Sequence, residues 1–268
     1  MAIFSAIRRR VFADYLAPDR LPEYGQLIRL ALDSGYECVT VRDFHAKVQS
    51  GTLAARTMIL RHDVDSDPAR IRDFVRLEQQ IGIVGTYYYR LRTLDEAEMR
   101  RIEDLGGEAA YHYEEAATVA KRRRIHDPEV LRVMMPVIRE EFIRNHTELK
   151  RRTGLPIVTV AGHGDFVNRR LGVFNHDLLN AEVRERCGIE LDVYDPELRS
   201  RSTDISDRPQ PVGWTHSPAA AIESGAALIH LLTHPRHWGH RFLANTQENG
   251  YRAWQGLMYA LPDYRSQK

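Results

Sequence analysis

A disulfide framework, a membrane span and a strong net charge are all missing from this chain. Two of its 268 residues are cysteines, Cys38 and Cys187, far apart and in different predicted elements, so no disulfide scaffold is available. No apolar stretch reaches the roughly 18 residues expected of a span. The formal charge is +1, which gives no electrostatic case for nucleic acid as a partner. Local basic runs occur at Arg8-Arg9-Arg10 and Lys121-Arg122-Arg123-Arg124. Neither is interleaved with aromatics, and each reads as a solvated surface or a membrane-proximal patch. Met1 to Val11 alternates apolar and basic positions without the long apolar centre and small-residue cleavage site of a secretory signal. No strand precedes a phosphate-cradling glycine loop with a suitable lysine, which removes the common nucleotide-handling pattern. Together these absences predict a cytoplasmic protein, with an interfacial N-terminal anchor as the alternative; monomer and dimer are both open.

What is present is a hydrophobic content of 43%, enough for one large core or two small ones. Strand and helix patterns alternate along the chain. An amphipathic helix over 22–34 precedes a strand from Glu37 to Val41 and a helical piece from Asp43 to Val48. A buried strand, Thr57 to Leu60, leads into a helix from Pro68 to Gln80, followed by a strand from Ile81 to Tyr89. A helix from Leu94 to Leu105 ends at Gly106-Gly107 before the strand Glu108 to His112. Glu114 to Pro128 reads as a long loop or broken helix. Glu129 to Lys150 reads as a helix kinked at Pro136. Strands at Pro156 to Ala161, Glu190 to Tyr194 and Ala227 to Leu232 follow. They are separated by a helix near Leu178 to Arg186, a loop-rich stretch over 195–216 and a short helix from Ala219 to Ser224. Crossovers too long for hairpins imply an α/β fold with mostly parallel strands sheathed by helices. No repeat, low-complexity block or linker divides the chain, so residues 1–268 read as one domain.

Polar residues collect just past the ends of these strands, the edge where α/β folds bind ligands. The densest group is Leu60-Arg61-His62-Asp63-Val64-Asp65-Ser66-Asp67-Pro68. A period of two puts Arg61, Asp63 and Asp65 on one side and His62 on the other. Two acids about 6.5 Å apart on one side repel unless a cation or a shared proton separates their roles. One can hold a divalent metal while the other takes a proton from water; the alternative is an Asx-rich helix cap, since Asp67-Pro68 is also an ordinary helix start. His112 can turn its ring into a strand-end cavity or serve as a buried structural histidine. His163, between Gly162 and Gly164, suits a ligand contact because the glycines bare the backbone. His234 ends a buried strand on the side of His230 and can carry a proton to a departing amine.

These motifs, in this order over about residues 55–240, resemble the polysaccharide deacetylase superfamily. This is the carbohydrate esterase family with a NodB-like homology domain, and the chain is nearest to its divergent branch with an Arg-His-Asp-Val-Asp motif. The resemblance implies an irregular (β/α) barrel of about seven mostly parallel strands. It assigns Asp63 as catalytic base, Asp65 and His112 as metal ligands, and His234, within Leu231-Leu232-Thr233-His234-Pro235, as general acid. The family's second metal histidine, four residues after His112, is replaced here by Ala116, and His163 is the candidate substitute from the next strand end. Trp214 and Trp238 resemble aromatics lining the acyl or sugar pocket. Arg61 is a candidate for fixing Asp63 or a substrate carboxylate, and Asp207 for orienting His234. The implied activity is hydrolysis of an N-acyl (acetyl or formyl) group on an amino sugar or glycan precursor, dependent on Zn²⁺ or a comparable divalent ion. Two rival readings are a catalytically silent glycan-binding or scaffold protein on the same fold, and an amidohydrolase of a small non-sugar amide.

Overall fold

The computed structural model describes residues 8–239 and 241–261; the first seven residues of the N-terminal stretch read above lie outside them. Nine strands form one sheet among the described residues: β1 (Glu37–Val39), β2 (Thr57–Val64), β3 (Thr86–Tyr89), β4 (Glu108–Tyr113), β5 (Thr159–Gly162), β6 (Leu191–Asp192), β7 (Thr203–Arg208), β8 (Gly213–Trp214) and β9 (Leu228–Thr233). Their order is β6-β5-β4-β3-β2-β9-β7-β8, with β1 lying beside the first half of β2. Every pairing from β6 through β7 is parallel, and only β8 runs antiparallel, against β7. The seven-strand parallel path is the expected irregular (β/α) barrel, left open between its terminal strands β6 and β8.

The helices are α1 (Leu21–Asp33), α2 (Val41–Ser50), α3 (Ile71–Ile81), α4 (Glu96–Asp104), α5 (Glu115–Arg123), α6 (Pro128–Val133), α7 (Met135–Thr153), α8 (Phe166–Leu171), α9 (Ala181–Cys187), α10 (Pro196–Arg199), α11 (Pro218–Glu223) and α12 (Phe242–Ala260). None is long and apolar enough to cross a membrane.

All eight residues of β2 are buried, which places it at the centre of the sheet. Its alternating side chains enter different apolar clusters. Met58, Leu60 and Val64 pack with Ile71, Phe74 and Val75 of α3 and with Tyr87, in the layer between sheet and helices. Ile59 packs with Tyr88, Ala110, Ala161, Leu191 and Leu228 inside the curve of the sheet, closed from below by Val41 and Phe44 of α2. Each such side chain contributes roughly 1.5–3 kcal/mol by leaving water. Residues two and four positions beyond Ile59 continue the same side upward, so an apolar floor gives way to a polar rim.

Local chemistry accounts for several boundaries. Gly107 sits where a Cβ would lie 2.4 Å from Val84 Cγ1, so the α4–β4 turn needs its bare backbone. The expected strand from Ile81 begins only at Thr86, because α3 runs through Ile81 and is capped by Gly82 at φ 87°. Pro136 separates two helices instead of kinking one. It occupies the first turn of α7, where the missing N–H has no partner to lose.

Of the two readings open for Glu114 to Pro128, a long loop or a broken helix, the helix is found: α5, whose Ala116, Ala117, Val119 and Ala120 are small enough to bury a whole face. The stretch 195–216 holds β7, whose buried Ile205 and Asp207 alternate with more exposed neighbours. A sequence reading that ended near Pro235 also left out α12.

Candidate active site

The rim begins with a clamp on the outer side of β2. His62 shares a 2.6 Å hydrogen bond with Thr233 of β9 and a 2.8 Å one with Glu78 of α3. Glu78 also accepts from Tyr24, Tyr87 and the Gly85 N–H, so its buried charge is fully answered. This network joins the ends of β2 and β9 and sends the next residues of both strands, Asp63 and His234, to the inner rim.

On that rim Arg61 donates from Nε to Asp63 Oδ1 and from Nη2 to Asp63 Oδ2, both at 2.8 Å. The guanidinium is wedged between the rings of Tyr88 and Tyr194 at 5.5 and 5.6 Å. Burial would push the Asp63 carboxyl up, but Arg61, then His112 and His234, hold it below the usual carboxylate range. Asp63 is thus an ionised acceptor, and its Oδ2 lies 3.4 Å from His112 Nε2.

Asp65, His112 and His163 converge, with donor atoms all within 4.8 Å of one another. His112 Nε2 lies 3.3 Å and His163 Nε2 3.4 Å from Asp65 Oδ1. His112 Nδ1 donates to the Ala161 carbonyl at 2.8 Å, which leaves its Nε2 lone pair pointing at the cluster. Asp65 Oδ1 is buried with no hydrogen-bond partner. Burial would raise the Asp65 carboxyl, but His163 and His112 hold it well below its ordinary value. Burial keeps His163 below the ordinary imidazole value. A carboxylate with an orphaned oxygen beside two imidazoles is the donor set that a divalent cation requires. Asp65 and His163 line a cavity of about 260 Å³ that also meets Arg90, Arg92 and Gln255.

Ala116 does not belong to this group. It is fully buried in the apolar layer under α5. His163 instead comes in from the end of β5.

His234 approaches from β9. Its Nδ1 donates to Asp207 Oδ1 at 2.7 Å and its backbone N–H to Oδ2 at 2.8 Å. Burial would lower this imidazole, but Asp207, Asp65 and Asp63 raise it to about 9. The cation is therefore the resting form at neutral pH, and Asp65 and Asp63 are among the charges that raise it.

Trp238 is 1% exposed, donates its indole N–H to Asp207 Oδ2 at 2.8 Å, packs on Tyr24 and Phe74, and lines with Trp214 a cavity of about 310 Å³. Trp214, half-buried, meets it edge to face at 5.4 Å.

Several participants were missed by sequence reasoning. Arg90 donates to the Asp65 carbonyl at 3.2 Å and pairs with Glu114, which stands 3.7 Å from His163 Nδ1. His237 lies 3.3 Å from Asp207. On the far side of Arg61, His230 pairs with Asp204 at 2.9 Å beside a cavity of about 250 Å³. The adjacency of Glu114 to the His112 strand was the one available signal.

No protein-family model matches this chain, and no curated protein does. Among solved structures it is similar to that of IcaB from Ammonifex degensii, at 13% identity and a TM-score of 0.43 over 64% of this chain and 74% of that one. It is also similar to the BpsB deacetylase domain from Bordetella bronchiseptica, at 13% identity and a TM-score of 0.44 over 83% of this chain and 90% of that one.

Proposed function

We propose that this chain is a metal-dependent amidohydrolase that removes an N-acyl group, acetyl or formyl, from an amino sugar or glycan precursor, with residues 1–268 as a single catalytic domain. The observation that carries the reading is the gathering of three groups at one edge of the parallel sheet, with Asp63 Oδ2 3.4 Å from His112 Nε2. These are the Asp65, His112 and His163 donor set, the Arg61-held carboxylate of Asp63, and the protonated His234 on Asp207. A divalent ion such as Zn²⁺ held by Asp65, His112 and His163 would polarise the acyl carbonyl and acidify a water.

The remaining chemistry belongs to the chain. Asp63 accepts the proton of the attacking water, and Arg61 keeps its carboxylate ionised and in one orientation. His234 gives its proton to the nitrogen as the C–N bond breaks, and Asp207 holds that ring with Nδ1–H toward the carboxylate and Nε2–H toward the cavity. Arg90 braces the backbone at Asp65. Free thiols at Cys38 and Cys187 support a reducing, cytoplasmic setting.

Ala116 favours a second reading, a glycan-binding protein on the same fold that has lost turnover. Metal analysis of the purified protein, followed by acetate and formate release from a panel of acylated amino sugars, separates the two. A bound divalent ion with acyl release supports the hydrolase. A protein that takes up no ion and releases neither acid from any member of the panel overturns it.

A further inference from the structure

The outward face of α12 carries exposed apolar side chains, of which Trp254 also borders a cavity of about 420 Å³ shared with Arg92 and Glu114. Leu243, Leu257 and Trp254 are 75%, 61% and 56% exposed. Among the exposed positions of this helix none is acidic and only Arg252 is charged. Its one acid, Glu248, is buried and accepts from Arg92 and Arg252. A second apolar element lies alongside. The helical turn Phe12–Leu16 packs Tyr15 on Phe242 at 5.3 Å, and its Asp14 carbonyl accepts from Asn245 at 2.6 Å. Phe12 and Leu16 of that turn are exposed, and so are Arg8, Arg9 and Arg10 directly before it. Asp14 is buried against Arg236 and Arg10.

We propose that this composite face docks on the surface of an anionic lipid bilayer, with Leu243, Trp254, Leu257 and Leu16 entering the interface and Arg8 to Arg10 meeting the headgroups. Tryptophan and leucine on one side with arginines at the edge is the composition that interfacial helices use. The charge selects the occupant. Arg8, Arg9 and Arg10 are exposed at the edge of this face, Arg10 also pairing with Asp14. Among the described residues the exposed positions of α12 and of the turn Phe12–Leu16 carry no carboxylate, so a second copy of this chain offers this edge no opposite charge, whereas anionic headgroups do. No helix among the described residues is long and apolar enough to cross a membrane. The inner side of α12 contributes Glu248, Arg252 and Gln255 to the cavity that holds Asp65 and His163, so docking brings one wall of that cavity to the lipid surface. The inference does not depend on the reaction proposed above.

The test is co-sedimentation of the full chain with phosphatidylcholine–phosphatidylglycerol vesicles and with pure phosphatidylcholine vesicles. Binding is expected to the anionic vesicles and to weaken with salt. Leu243→Glu with Leu257→Glu is expected to lower it at least tenfold, and Arg8→Gln with Arg9→Gln by about thirtyfold. Melting curves confirm that these surface variants fold. Independently of them, brominated lipid is expected to quench wild-type fluorescence, with the quenching lost in Trp254→Phe. Absence of binding to anionic vesicles overturns the proposal. So does equal binding by all variants, or a concentration-dependent dimer that the leucine substitutions break without any vesicle binding.

Discussion

Two clusters at the rim have the same composition, one aspartate and two histidines, and opposite electrostatic character. Asp65 with His112 and His163, and Asp207 with His234 and His237, both bring their donor atoms within 4.8 Å of one another. In the first, the Asp65 carboxylate oxygen is left without a hydrogen bond and burial keeps His163 neutral. In the second, Asp207 accepts from the His234 ring, the His234 backbone and Trp238, and the His234 imidazole is raised to about 9. Asp65 keeps an oxygen open to a cation, whereas Asp207 already faces a protonated His234. Composition and spacing alone therefore do not identify a cation site; the hydrogen bonds around the carboxylate do.

The comparison is broken most completely at Asp65. Asp65→Ala should lose bound metal and bring acyl release to background, while the same change in the second cluster should leave metal content intact; elemental analysis beside a turnover assay checks both. His234→Asn comes next. Metal should stay and turnover should fall by about 10²–10⁴, the usual worth of a positioned proton donor.

Arg61→Met leaves Asp63 buried and unpaired, and should cost about 3–5 kcal/mol in denaturant unfolding. Because the folded Asp63 carboxyl lies below its unfolded value, its contribution is present above roughly pH 4 and is lost as the pH falls through the folded value. The wild-type advantage over Arg61→Met should therefore shrink in acid.

Asp207→Asn is the mildest change and the sharpest. In metal-free protein, the His234 imidazole should titrate near 9 in the wild type and fall toward roughly 6.5 in the variant, as read by NMR. Since folding raises this group's pKa, its stabilisation is whole below roughly pH 6.5 and disappears as the pH rises through about 9. The variant should lose that alkaline slope, with turnover reduced about 10–100-fold.

Much of the site could be read from local pattern. The alternation that assigns Arg61, Asp63 and Asp65 to one side and His62 to the other is a property of any extended chain, and β2 obeys it. The order of strand, polar end and helix likewise foretold a parallel sheet with its chemistry on one edge. What escaped depended on partners distant in the chain. Asp207 could be named as a companion of His234, but the strand that delivers it, β7, has no apolar run and was read as loop. The resemblance places Trp238 at a pocket; that its indole N–H also holds Asp207 is visible only in the fold. Glu78, buried beneath four donors, carries no mark in the sequence that distinguishes it from the exposed acids of other helices.

The sequence by itself determined which residues of a strand share a face and that ionisable groups gather at strand ends, because these follow from backbone geometry within a few residues. Only the tertiary structure decided which aspartate is left open to a cation and which is closed by donors. A buried charge is set by the groups that reach it through space, and strand order brings those together from sites as far apart as Asp65, His112 and His163.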